Sequence, residues 1–117
     1  MAADSRSRFF SRALALLIDL RDQICRTPWC DAPIRHRDHV VGHVVGGETS
    51  LANGQGLCQA CNHAKEAFGW RARPSPGDRH AVHVTTPSGH VYRSQAPPLP
   101  GRAGRRFDLA YPLELVA

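Results

Sequence analysis

Two pairs of cysteines, Cys25 and Cys30 spaced C-x4-C and Cys58 and Cys61 spaced C-x2-C, constrain this chain more than any other feature. Two close-set thiol pairs separated by a loop are what a tetrahedral Zn²⁺ ion needs, because each tight turn supplies two sulfurs and the ion then pins two distant segments together. The alternative is a pair of disulfides, the preferred reading for an exported chain. The apolar run from Ala13 to Leu20 is broken by Asp19 and has no small-residue cleavage site behind it, so it does not read as an export signal. The same run falls well short of the about 20 apolar residues that a bilayer requires. The expectation is a structural zinc in a cytoplasmic protein with no membrane partner.

Length supports the same conclusion. A chain of 117 residues is one domain with an interior small enough to profit from a metal staple. The formal charge of +5 comes from fourteen arginines and one lysine against ten acids. That balance suits a polyanion, although four thiolates around a dication lower the sum by two. Distribution says more: Arg71, Arg73, Arg79, Arg93, Arg102, Arg105 and Arg106 share their stretch with a single acid, Asp78. Guanidinium groups favour phosphate, since each can donate two parallel hydrogen bonds. A solvated basic face in an arginine-rich proteome would look the same, and charge alone does not choose between them.

Three regions follow along the chain. In residues 1–24, Phe9, Ala13, Leu16, Leu20 and Ile24 recur at helical spacing, which predicts an amphipathic helix over Ser5 to Gln23 with that stripe as its docking face or as a dimer seam. Residues 25–73 form the metal module. There Pro33 to Val41 reads as a strand, Gly42 to Gly54 as a loop punctuated by Gly46-Gly47 and Asn53-Gly54, Gln55 to Cys58 as a returning strand, and Gln59 to Ala67 as a helix. In residues 74–117, His80 to Thr86 and His90 to Ser94 flank the turn Pro87-Ser88-Gly89 as a hairpin. A Pro/Gly/Arg-rich tail follows, whose closing stretch from Phe107 is apolar enough to pack somewhere. The fold class is α+β.

Within the module, Asp38-His39 closes the first strand, Asn53 follows in the loop, and Asn62-His63 comes directly after the last cysteine. Carboxylate, imidazole and amide groups in this arrangement make a set of metal ligands and a base. Together with Cys25, Cys30, Gly46-Gly47, Leu57-Cys58, Cys61 and Lys65, they resemble the HNH endonuclease family over Arg21 to Arg73. The segment is also similar to the HNH module at the C-terminal end of a large family of actinobacterial proteins, which points to a bacterial source.

The resemblance implies a zinc-stapled ββα-metal finger that hydrolyses DNA phosphodiester bonds and leaves 5′-phosphate and 3′-hydroxyl ends. His39 would take the proton of the attacking water, because an imidazole titrates near neutrality. Asp38 and Asn62 would hold a divalent ion through oxygen, a donor set that suits Mg²⁺ or Mn²⁺. Asn53 would tie down the loop behind the base. Many relatives carry histidine where this chain has Asn62. Adjacent helical residues point about 100° apart, so Asn62 is favoured as ligand over His63.

Lys65 reads as a phosphate contact or as a solvated lysine, and Arg71 and Arg73 as contacts to the DNA backbone. His36 and His43 are weaker candidates, while His80, His83 and His90 read as surface residues of the hairpin. Two rival readings are a zinc-finger-like module that binds DNA without cutting, and a toxin or effector nuclease. Oligomeric state is not legible, and a dimer is compatible with the sequence.

Overall fold

The computed structural model describes residues 4–5, 8–77 and 79–99; Arg102, Arg105, Arg106 and the apolar closing segment lie outside them. Strand β1 is Asp4–Ser5, helix α1 is Arg12–Asp22 and strand β2 is His36–His39. A 3₁₀ turn at His43–Val45 and strand β3 at Thr49–Ser50 lead to strand β4 at Gly54–Leu57 and helix α2 at Gln59–Ala64. Strands β5 at Arg71–Ser75, β6 at Ala81–Thr85 and β7 at Val91–Gln95 close the described chain. The expected finger is therefore present as β2, β4 and α2, with β2 and β4 antiparallel in the register His36 to Leu57 through His39 to Gly54. The expected hairpin is β6–β7, and it gains a third antiparallel strand from β5. β5 carries Pro74 and is an edge strand, the position in a sheet where proline is tolerated.

Helix α1 starts later than expected and turns its other face inward. Ser11 caps it by accepting from Leu14 N–H at 3.1 Å. The buried stripe is Leu14, Ile18 and Asp22, whereas Leu16, Leu20 and Ile24 are 58%, 50% and 45% exposed and Phe9 lies outside the helix. The reason lies in β4. A Cβ added at Gly54 would stand 2.7 Å from Ile18 Cδ1, so the bare glycine is what admits the Leu14–Ile18 stripe. Asp22 then completes the attachment. Its carboxylate accepts from Arg21 at 2.6 Å, from Arg26 at 2.8 Å and from Gly56 N–H at 2.8 Å.

Arg26 extends this attachment to the three-stranded sheet. Its guanidinium donates to Ser94 O at 2.8 Å and to Ser94 Oγ at 3.1 Å, and it meets His80 Nδ1 at 2.8 Å. His80 is thus not the surface residue the hairpin pattern suggests. Its Nε2 also reaches Ala52 O at 2.8 Å, and burial between Arg21 and Arg26 pushes its pKa down to about 4. No helix among the described residues is long and apolar enough to cross a membrane.

Candidate active site

The four thiols come together from the two knuckles. The first is closed by Cys25 N–H to Ala32 O and Cys30 N–H to Thr27 O, both 2.9 Å; the second is the start of α2, where Cys58 Sγ accepts from Cys61 N–H at 3.4 Å. That N–H stabilises the thiolate and lowers the Cys58 pKa to about 7, while burial pushes Cys61 up to about 12. All four cysteines are free, and their sulfurs lie within 4.8 Å of one another. A tetrahedral ion with Zn–S bonds near 2.3 Å holds its sulfurs about 3.8 Å apart. Cys30 and Cys58 stand 3.9 Å apart, so the cluster fits a structural metal such as zinc. Around it the core is made of Leu57 and the cysteines themselves, joined by Ala32.

Adjacent residues of β2 serve different neighbours, as the alternation of a strand requires. His36 and Asp38 meet α2. Asn62 Nδ2 contacts His36 Nδ1 at 2.8 Å, and Lys65 Nζ, three residues on along the helix, lies 2.7 Å from Asp38 Oδ2. Asp38 Oδ2 is shut off from solvent and has no aligned hydrogen-bond donor, so this ion pair is what compensates it. Lys65 also pairs with Glu66 at 2.9 Å. Its ammonium thus faces two carboxylates in this structure. His63 is exposed and approaches His36, with ring centroids 6.1 Å apart.

Arg37 and His39 look elsewhere. Arg37 forks onto Asp19 of α1. His39 is buried against the Phe10 ring at a centroid distance of 4.7 Å, and its Nε2 meets Thr49 Oγ1 at 2.8 Å. Desolvation lowers its pKa from the ordinary imidazole value, opposed by the neighbouring Asp38 charge. Burial therefore favours the neutral ring. His43 closes in from the 3₁₀ turn, 5.6 Å from His39 between centroids.

One amide holds the loop that delivers these groups. Asn53 Oδ1 accepts from Val41 N–H at 2.9 Å, and its Nδ2 donates to Val41 O at 3.0 Å and Glu48 O at 2.8 Å. Gly47 permits that crossing, because a Cβ there would fall 1.7 Å from Val41 O and 2.9 Å from Asn53 Nδ2. Phe10, Thr49 and the His36 contact escaped the sequence reading. Each depends on a meeting between elements far apart in the chain, which no local pattern records.

The donor chemistry around Asp38 also bears on a second metal. Asp38 offers a solvent-excluded carboxylate oxygen, and the amide oxygen of Asn62 has no hydrogen-bond partner among the described residues. A hard divalent ion takes such oxygens; in this structure the cation beside Asp38 is the Lys65 ammonium. No three His, Cys, Asp or Glu side chains converge there; the four-cysteine cluster is the one such group among the described residues. A groove of about 1060 Å³ runs past Phe10, Asp38, His39, His43, Lys65 and Arg71. Arg71 and Arg73 are exposed on β5, and neither forms an ion pair among the described residues.

Comparison with known proteins agrees with the finger. Residues 23–68 match the family model HNH, described as HNH endonuclease, and this segment is an HNH domain. No curated protein and no solved structure matches the chain.

Proposed function

We propose, from the HNH domain of residues 23–68, that the chain is a metal-dependent DNA endonuclease acting in the cytoplasm, with His39 as the general base. The observation that carries this reading is the placement of His39: fixed against Phe10 and Thr49, bordering the groove beside Asp38, and shifted by burial toward the neutral ring. With Nε2–H donated to Thr49 Oγ1, Nδ1 holds the lone pair that takes a proton from the attacking water. The water oxygen bonds to phosphorus as the P–O3′ bond breaks, and the departing O3′ takes a proton from solvent water, which leaves a 5′-phosphate and a 3′-hydroxyl. Asn53 keeps the loop behind the base in one arrangement. Asp38 and the Asn62 amide oxygen would hold Mg²⁺ or Mn²⁺, which supplies charge neutralisation at the phosphate and the leaving oxygen. Arg71 and Arg73 supply contacts to the backbone.

Supercoiled plasmid incubated with and without Mg²⁺ or Mn²⁺ tests the reading. Wild type should cut, and His39→Ala should lose about 10²-fold or more while keeping its zinc. The rate should rise with pH through a value below the ordinary 6.5 of imidazole, because burial disfavours the protonated ring. The Lys65–Asp38 pair favours a second reading, a DNA-binding module that no longer cuts, since it neutralises Asp38 without any ion. Equal treatment of plasmid by wild type and His39→Ala would select that reading.

A further inference from the structure

The groove continues beyond Asp38 to a part of the molecule that the hydrolytic reading does not use. Trp29 projects from the first knuckle and is 59% exposed, with Tyr92 of β7, 42% exposed, beside it. Their rings meet edge to face, with centroids 5.0 Å apart and planes at 80°. Tyr92 is in register with Val84 and Ala72, so these three share one row across the sheet. Ala72, Val84, Trp29 and Trp70 line the same groove as Asp38 and His39. Single exposed apolar residues are ordinary on protein surfaces, but a contiguous apolar patch at the edge of a groove marks a partner.

Charge identifies the partner. The acids that line the groove, Asp38 and Glu66, are both held by Lys65. Among the lining cations, Arg26 and Arg37 are neutralised by Asp22 and Asp19, whereas Arg8 and Arg71 form no ion pair among the described residues. The groove is therefore positive, and Trp29, beside Tyr92, lines it together with His39. Phosphates alone would not need the rings, and in a duplex the base faces are already stacked. Unpaired nucleotides present both a charged backbone and a free π-face to such a surface.

Resting on the nuclease reading for its chemistry, we infer that the groove binds unpaired DNA, with a base stacked on the Trp29–Tyr92 pair and its backbone drawn toward His39 along Arg71. The enzyme would then prefer single strands, flaps or frayed ends to continuous duplex.

The test uses the full zinc-loaded chain with His39→Ala to prevent cutting, and fluorescence anisotropy with a labelled single-stranded oligonucleotide and its duplex. The single strand should bind more tightly. Trp29→Ala should weaken single-strand binding on the order of 10-fold and leave duplex binding unchanged, while Trp29→Phe keeps the preference. Equal losses for both forms, or none, would overturn the inference even if plasmid cleavage by the wild type upholds the nuclease. Binding to neither form would overturn it as well and mark the patch as protein-facing. Zinc content and melting temperature of Trp29→Ala should match those of its parent, because the side chain is mostly exposed.

Discussion

Asp22 and Asp38 are both shielded carboxylates facing a cation, yet they are built in opposite ways. Asp22 is saturated: two guanidinium groups and the Gly56 N–H share its oxygens, and Arg26 carries the network on to Ser94 and His80. Asp38 has one lysine, and both side chains are about a quarter exposed. A charge with every lone pair engaged is expensive to disturb, whereas a single half-wet ion pair is held by roughly 1 kcal/mol or less. The first carboxylate is a strut. The second is held loosely enough for its partner to exchange.

Breaking the strut should have the largest effect. Asp22→Ala leaves Arg26 buried without a counter-charge and should cost about 3–5 kcal/mol in denaturant melts. A loss under about 1 kcal/mol would mean that the two carboxylates are not different in kind. The contrast sharpens with function: Asp38→Asn should leave stability within about 1 kcal/mol of wild type but lower plasmid cleavage about 10²-fold through weakened ion binding.

Lys65→Met probes exchangeability. Removing the resident ammonium should raise Mn²⁺ affinity at Asp38 about tenfold, read by electron paramagnetic resonance, with stability changed by under about 1 kcal/mol. Unchanged Mn²⁺ affinity would show that Lys65 does not compete with the ion.

A further effect concerns pH. His80 binds a proton near 6.5 when unfolded but only near 4 in the folded network, so stability should fall as pH drops through that window and level off below it. His80→Gln should flatten this part of the profile in melts that track zinc content. A slope unchanged by the substitution would take His80 out of the strut.

These two carboxylates were not equally legible. Asp38 lies in a local pattern, since strand end, loop asparagine and helix after the last cysteine are all defined by spacing, and the thiol pairs declare their convergence in the same way. Asp22 and Arg26 are an i,i+4 pair across the end of α1, a signal that could have been read. Ser94 and His80, however, join them from more than fifty residues away, and no periodicity encodes that. The inward face of α1 was misread for a related reason. Helix periodicity alone does not say which stripe is buried; Gly54 of β4, which admits Ile18, and the Asp22 carboxylate together draw the Leu14–Ile18–Asp22 face inward.

The strut also bears on modularity. The HNH segment begins at residue 23, directly after Asp22, and its Arg26 finds its last partners on β7. A fragment limited to residues 25–73 would carry all four thiols, His39 and Asn53, yet strand a guanidinium in the interior and leave the Gly56 N–H without its acceptor. The segment that the family match delimits should therefore not fold as an autonomous unit. Transplanting the HNH segment would mean carrying its leading helix and its trailing sheet as well.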